Sequence, residues 1–237
     1  MLVDKPMPPI TDLFATRAGC VVLAERAARL LSPSGAEVEL NTGDTNASAL
    51  APSGNQIMIA ADDAIYLFDE RGAKITSVTG DAVGVTALGK TDERFVLGFD
   101  DGELRILSAH AGRTAARLSF AFEGTPTSAV TRIADGIHGI LVAGFANGFL
   151  GLWSLENGTL LDSAKLHGPI VHVLLDAEAR RLYAVTDIGD TLALDLDVFF
   201  EGYCQLLQRL WHDVPVAWEK GLPVLRSPPG DHRCTRR

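Results

Sequence analysis

Histidine is the side chain best suited to hold a metal or move a proton at neutral pH, and this chain has six of them. They are His110, His138, His167, His172, His212 and His232. No HxxxH or HExxH spacing occurs, and none has a cysteine or carboxylate at metal-ligand spacing on a shared element. We therefore expect structural hydrogen-bonding roles for the histidines, with no metal site.

Carboxylates recur in pairs at predicted turns, namely Asp62-Asp63, Asp100-Asp101 and Asp187 with Asp190. A rim of such acids could hold a cation such as calcium, which prefers oxygen ligands. Turn formation explains the same residues, because aspartate tolerates the left-handed conformation and bonds its own backbone. The turn interpretation is favoured.

A nucleophile site could be written from Asp231-His232 and Cys234, since a cysteine needs a base within hydrogen-bond reach. These residues lie in a Pro- and Arg-rich terminus that is typical of a solvated tail. No GxxxxGK[ST], GxGxxG or GxSxG sequence is present. The sequence predicts neither an enzyme nor a cofactor-binding protein.

Composition indicates one globular domain without a large basic face. The chain has 237 residues, 47% of them hydrophobic, and a net charge of -9, which disfavours binding to nucleic acid. Its three cysteines, Cys20, Cys204 and Cys234, are odd in number and widely spaced, which predicts no disulfide framework. With neither a signal peptide nor a membrane span recognised, a reducing, cytoplasmic location is expected.

The segment from Gly139 to Pro169 has the sequence pattern of short β-strands, which would position the histidines and carboxylates. Three short apolar runs, ILVAGF, FLGLWSL and TLLDSAKL, are separated by turns at Asn147-Gly148 and Asn157-Gly158. Asn-Gly between apolar runs favours a type I′ hairpin, in which both central residues have positive φ. The segment is predicted to be a three-stranded antiparallel meander.

The same order of strands and turns repeats along the chain. LAERAARLLSPSGAEVEL and IAADDAIYLFDERGAKIT align without a gap. The turn glycines Gly35, Gly72, Gly112 and Gly158 are 37, 40 and 46 residues apart. Four-stranded propeller blades repeat every ~40 to 45 residues. Four such units, at about 8–43, 47–80, 82–124 and 125–168, are followed by a fifth beginning at Pro169.

The fourth unit resembles a blade of the WD40 propeller family. Trp153-Ser154 stands in place of the family's Trp-Asp, and His167-Gly168 lies near its Gly-His signature. Asp101 and Asn147 occupy the turn of the family aspartate. Other units place Leu31, Phe68, Leu107 and, near the end, Leu194 or Asp195 where the family has tryptophan.

The resemblance, over residues 8–198, implies an all-β propeller of about five four-stranded blades that serves as a binding platform. The family's buried Asp, His, Ser or Thr and Trp network is incomplete in every unit. The segment TDIGDTLALDLD also leaves a PQQ-type propeller open as an alternative.

The fifth unit lacks a fourth strand in its usual place. One interpretation is that PVAW, LPVL or the amino-terminal ITDLFAT supplies it within this chain. The other is an incomplete ring whose exposed edge is completed by a protein partner, because an unpaired sheet edge must be covered.

Residues 199–237 are predicted to form a separate C-terminal region after a propeller domain of residues 1–198. Helical spacing of apolar residues predicts an amphipathic helix over 199–212. It could be a lid that buries Phe199, Tyr203, Leu206 and Leu210. Alternatively it binds a partner through the candidate residues Phe200, Leu207, Trp211 and Trp218.

These observations favour a non-catalytic protein-protein interaction scaffold. The alternative is a propeller enzyme or a ligand or metal sensor, whose central channel would use rim carboxylates and histidines. An RNA-associated scaffold that uses the tail Arg233–Arg237 is a third, weaker candidate.

Overall fold

The predicted propeller is confirmed: five small antiparallel sheets lie in a ring as a five-bladed β-propeller. The protein is seen in a computed structural model. That structure describes residues 9–24, 27–43, 47–53, 56–62, 64–79, 83–91, 94–108, 116–117, 121–134, 139–176, 178–225 and 232–235. Asp63, His110, Gly112, His138, Asp231, Arg236 and Arg237, discussed above, lie outside these residues.

Each of the first four blades is a four-stranded sheet with its strands in chain order. Blade one contains β1 (Ile10–Ala15), β2 (Cys20–Ala24), β3 (Ala27–Leu31) and β4 (Glu37–Glu39). Blade two contains β5 (Ala47–Ser53), β6 (Gln56–Ala61), β7 (Ala64–Asp69) and β8 (Lys74–Thr79). Blade three contains β9 (Val85–Thr91), β10 (Arg94–Phe99), β11 (Leu104–Ser108) and β12 (Ala116–Arg117). Blade four contains β13 (Val130–Ala134), β14 (Ile140–Phe145), β15 (Phe149–Ser154) and β16 (Leu160–Lys165).

Blade five has three strands in the described residues, and two helices and a hairpin follow it. Its strands are β17 (Ile170–Asp176), β18 (Arg181–Thr186) and β19 (Thr191–Asp195). The remaining elements are α1 (Asp197–Phe200), α2 (Tyr203–Asp213), β20 (Val216–Glu219) and β21 (Leu222–Leu225).

None of the three segments expected to complete blade five within this chain does so. The PVAW and LPVL segments form β20 and β21, which pair with each other in a separate two-stranded sheet. ITDLFAT forms β1, which pairs with β2 in blade one. Each therefore has a nearer partner strand, and β19 is the edge of its sheet within the described part of the chain.

Packing between successive blades explains why the second strand of each of the first four blades is buried on both faces. In β6, Ile57 and Ile59 join a cluster with blade one, whereas the intervening Met58 joins a cluster with blade three. All three side chains are at most 1% exposed. Full burial of each such side chain stabilises the fold by about 1.5–3 kcal/mol.

The first strands of blades one to four carry a bulge at the same position. The extra residue is Thr11, Ser48, Thr86 or Thr131, and its hydroxyl oxygen lies 3.1–3.4 Å from a carbonyl oxygen of the second strand. A bulge bends the strand and redirects the side chains beside it. The residue after the bulge is Asp12 in blade one and Arg132 in blade four.

The Asn147-Gly148 turn differs from the predicted type I′ hairpin. Gly148 has φ 83°, but among described non-glycine residues positive φ occurs at Asp62, Arg180 and Lys220, so Asn147 has negative φ. The Gly148 N–H donates to the Phe145 carbonyl, and the Asn147 side chain accepts the Phe149 N–H. The side-chain bond and one left-handed glycine make the turn, so a second left-handed residue is not needed.

The single helix expected over 199–212 is two helices. Glu201 is extended, with φ -76° and ψ 137°, and Gly202 at ψ 151° precedes the first turn of α2. The Gln205 side chain accepts the Gly202 N–H at 3.1 Å. Local capping bonds therefore interrupt a sequence whose apolar spacing is continuous.

The described residues divide into two compact units. One contains residues up to 175 together with 183–192, and the other contains 176–182 together with 193 onward. The predicted C-terminal region falls within the second unit, which also includes part of blade five. The division at residue 198 into a propeller and a C-terminal region stays a prediction.

Candidate interaction site

Trp153, the residue that carries the WD40 resemblance, is a core residue. It is fully buried, and its ring lies near Phe122, Phe145 and Phe149 at centroid distances of 6.1–6.3 Å. Its Nε1–H donates to the Glu123 carbonyl at 2.7 Å. A backbone carbonyl thus takes the bond that the WD40 resemblance would assign to a side-chain network.

His167 has a structural hydrogen-bonding role, as expected. Its backbone N–H donates to Asp190 Oδ2 at 3.1 Å, and its Nδ1 lies 3.2 Å from the same oxygen. These two contacts, the backbone bond first, hold the pKa of Asp190 below its usual value. His167 therefore joins the turn after blade four to the turn between β18 and β19.

The paired acids act as turn residues where the structure describes them. Asp101 Oδ1 accepts the Glu103 N–H at 2.9 Å, and Asp62 takes the left-handed conformation at φ 47°. In the described residues, no group of three or more His, Cys, Asp or Glu could hold a metal ion. The rim-cation interpretation gains no support from this geometry.

Two cysteines are joined, which corrects the expectation of no disulfide. Cys204 of α2 bonds Cys234, 30 residues later, leaving Cys20 as the free thiol. Cys234 is buried, and the Gln208 side chain donates to its carbonyl. Spacing alone carried no signal for this pair, because 30 residues separate the two cysteines in the chain and they are neighbours only in the folded protein.

The structure places the four candidate partner-binding residues in different surroundings. Trp211 packs edge-on against His232, with ring centroids 5.3 Å apart, and Leu207 is half-buried. Phe200 is half-buried with the Arg180 guanidinium 5.0 Å from its ring centre. Trp218 pairs with Pro223 in the hairpin, and its side chain lies outside the described residues. Partner binding by these residues stays a prediction.

The face of α2 that was expected to be buried as a lid is exposed. Tyr203 is 57% exposed and Leu210 53%, and no residue of α2 is buried. Exposed apolar side chains continue beyond the helix at Val214, Val216, Leu222, Val224 and Leu225. Exposed apolar side chains therefore occur on both the helix and the hairpin, whereas the lid interpretation predicts a buried helix face.

A cavity of about 210 Å³ lies among the first strands of the blades. Its polar side chains include Asp12, Arg132 and His172, each the third residue of its strand. The alternative of a central-channel site, formed by rim carboxylates and histidines, did not include Asp12 or Arg132. Aligning the first strands of the five units would have placed Asp12, Arg132 and His172 at the same position, with Ala49 and Ala87 in the other two units.

Solved structures with the same fold support the propeller class. The computationally designed Ika4 protein is 23% identical, with TM-score 0.53, over 66% of this chain and 94% of that chain. The designed Ika8 protein is 22% identical, with TM-score 0.59, over 78% and 58%. A chain in the crystal structure of the mitotic checkpoint complex is 14% identical, with TM-score 0.61, over 84% and 71%. At these identities the similarity concerns the fold alone.

The fold defines this protein as a β-propeller. No family profile matches its sequence, and comparison with curated proteins gives no match. Within the described residues, no helix is long and apolar enough to span a bilayer.

Proposed function

We propose that this protein is a non-catalytic interaction scaffold, a degenerate WD40-like propeller that forms one subunit of a multiprotein assembly. The observation that carries the proposal is the edge strand β19. Blades one to four each have an outer strand beside their third strand, and blade five has none in the described residues. A strand edge with unpaired N–H and C=O groups binds an extended peptide readily.

The partner is proposed to contribute one extended strand that pairs with β19. Thr191, Ala193 and Asp195 are exposed, whereas Leu192 and Leu194 are half-buried. A peptide with alternating apolar and polar residues fits this pattern because side chains alternate between the faces of a sheet. The complex of a structural neighbour is consistent with a scaffold role, although its partners are its own.

The second unit offers a further contact surface through α2 and the β20–β21 hairpin. Its exposed residues include Leu222 at 67% and Leu225 at 79%. Contiguous exposed apolar side chains commonly mark protein interfaces. We propose that the partner also contacts this unit, with Phe200, Leu207, Trp211 and Trp218 as candidate contacts.

Proline substitution tests strand addition at β19. Successive N–H groups of a strand point to opposite neighbours, so one of Ala193→Pro and Leu194→Pro removes an edge-facing N–H and the other an N–H used by β18. The edge-facing variant should keep the wild-type melting temperature yet lose the stoichiometric partner recovered with the tagged wild-type chain. The other variant should lose stability.

Two results would contradict the scaffold proposal. One is recovery of the wild-type chain from its native cells as a lone, folded monomer. The other is full retention of the partner by both proline variants in the folded state, which would exclude β19 as the binding edge.

The cellular compartment of the protein is part of the same proposal. A cytoplasmic location stays a prediction, and the Cys204–Cys234 disulfide weakens its premise, because structural disulfides persist mainly in oxidising compartments. Alkylating the free thiols during cell lysis distinguishes a reducing compartment from an oxidising one. Three labelled cysteines indicate a reducing compartment, and one labelled cysteine indicates an oxidising one.

A further inference from the structure

Arg132 is held at the cavity in a fixed orientation. Its Nε donates to the Val171 carbonyl at 2.8 Å, and its Nη1 donates to the Thr131 carbonyl at 2.7 Å. The third contact, from Nη2 to Asp12 Oδ1, is 3.4 Å long. Two backbone carbonyls therefore fix the plane of the guanidinium, and the carboxylate contributes a looser contact.

The Arg132–Asp12 pair retains hydrogen-bonding capacity. A guanidinium has five N–H groups, and the contacts to described residues use three of those of Arg132. Asp12 Oδ1 also accepts the Leu13 N–H, and no bond from a described residue reaches Asp12 Oδ2. Charge-assisted bonds are usually about 2.7–2.9 Å long, so the 3.4 Å contact leaves both groups able to bind a ligand.

The rest of the lining selects for a small molecule with an apolar body. It includes the aliphatic residues Leu13, Ala51, Ala87, Leu88, Ile133 and Val173. Sites for drug-sized ligands have volumes of about 300–1,000 Å³. The cavity, at about 210 Å³, is smaller.

We propose that this cavity binds a small apolar α-amino acid as its zwitterion. The ligand carboxylate accepts from the remaining N–H groups of Arg132, and its ammonium group donates to Asp12. A ligand with only an anionic group would be repelled by the Asp12 carboxylate, and a ligand with only a cationic group would be repelled by the Arg132 guanidinium. A molecule with both charged groups on the same carbon atom satisfies both partners, and its side chain lies against the aliphatic lining.

Three compounds of matched shape test the proposal with the intact, folded chain. L-valine carries both charges, isovalerate lacks the ammonium group, and isobutylamine lacks the carboxylate. Ligand-observed NMR titration should show saturable binding of L-valine. Each analogue should bind at least about tenfold more weakly, as expected from losing one charge-assisted hydrogen bond.

Substitutions locate the binding site. Arg132→Gln should abolish L-valine binding, and Asp12→Asn should reduce it to the level of isovalerate. Arg29→Gln is the matched control, because Arg29 forms a surface ion pair with Glu37 and is 35% exposed, against 37% for Arg132. It should bind L-valine as the wild type does.

Two results with the wild-type chain would overturn the amino-acid proposal. No saturable binding of L-valine, L-alanine or L-leucine by the folded wild type would overturn it, and so would equal binding of isovalerate and L-valine. Because the analogue comparison uses the wild-type chain, it remains decisive even if Arg132→Gln does not fold. Loss of a protein partner in the β19 variants is a separate readout, so the scaffold proposal and this one can fail independently.

Discussion

At the scale of single residues, Thr86 and Thr131 each form a hydrogen bond between one blade and the next. The Thr86 hydroxyl lies 2.7 Å from the Val130 carbonyl, and the Thr131 hydroxyl lies 2.6 Å from the Ile170 carbonyl. Each bond joins a bulge residue to the first strand of the next blade. The bulge therefore links successive blades as well as bending its own strand.

Replacing Thr86 with valine should destabilise the propeller by about 0.5–1.5 kcal/mol, because valine has similar shape and lacks the hydroxyl. Urea unfolding measures the change. Thr11→Val is the matched control, since the described contact of Thr11 is to the Leu23 carbonyl of its own blade. Equal losses for the two variants would contradict the inter-blade role.

Asp190 makes the stability of the turn around His167 depend on pH. The pKa of this carboxyl is lower in the folded protein, chiefly because of the His167 backbone N–H and then its side chain. The ionised form therefore stabilises the fold at pH values above the ordinary aspartate pKa. This contribution is lost as the pH falls through the folded-state pKa.

Asp190→Asn should consequently be less stable than the wild type at neutral pH, and the difference should shrink as the solution is acidified toward pH 3. Urea midpoints for both proteins across this pH range provide the measurement. A difference that is independent of pH would show that the charge of Asp190 does not stabilise the turn.

At the scale of elements, α2 makes four described contacts with the C-terminal segment 232–235. Cys204 is joined to Cys234 by the disulfide, and the Gln208 side chain donates to the Cys234 carbonyl. Trp211 contacts His232, and the Arg233 guanidinium lies 4.8 Å from the Tyr203 ring centre. An eleven-residue helix is marginally stable alone. The tail thus supplies the packing that the expected lid arrangement would have supplied.

Reduction of the disulfide should loosen the C-terminal unit, since closure of a loop with a separation of 30 residues is worth about 3–4 kcal/mol in the chain-entropy model. Limited proteolysis should cleave the tail faster after reduction. Cys20→Ser should behave like the wild type before and after reduction, whereas Cys204→Ser should resemble the reduced form. Unchanged cleavage on reduction would contradict this role.

At the scale of the whole molecule, the fold brings together charged residues that are far apart in the chain. Asp12 and Arg132 are separated by 120 residues and lie on blades one and four. Their side chains are 25% and 37% exposed, which gives water access to the pair. Screening by this water weakens their mutual attraction.

A double-mutant cycle with Asp12→Asn and Arg132→Gln should therefore give a coupling energy below about 1 kcal/mol. Thermal or urea unfolding of the four proteins supplies the numbers. A much larger coupling would identify the pair as a structural link between blades and would weaken the proposed ligand role.

Much of the architecture could be predicted because its causes are local. Apolar runs of five to seven residues, turn glycines such as Gly72 and Gly148, and the gapless repeat of units one and two are properties of neighbouring residues. Hydrogen-bonded turns and two-sided burial follow from them. They were sufficient to predict about five antiparallel blades.

Other features depend on residues that are distant in sequence. The pairing of Cys204 with Cys234 and the exposure of the α2 face could not be read from spacing, because each depends on which surface packs nearby. The cavity at Asp12 and Arg132 exists because the ring places the first strands of separate blades around one space. The sequence by itself determined the blades, and the tertiary structure decided which side chains meet, since strand formation is local and ring closure is not.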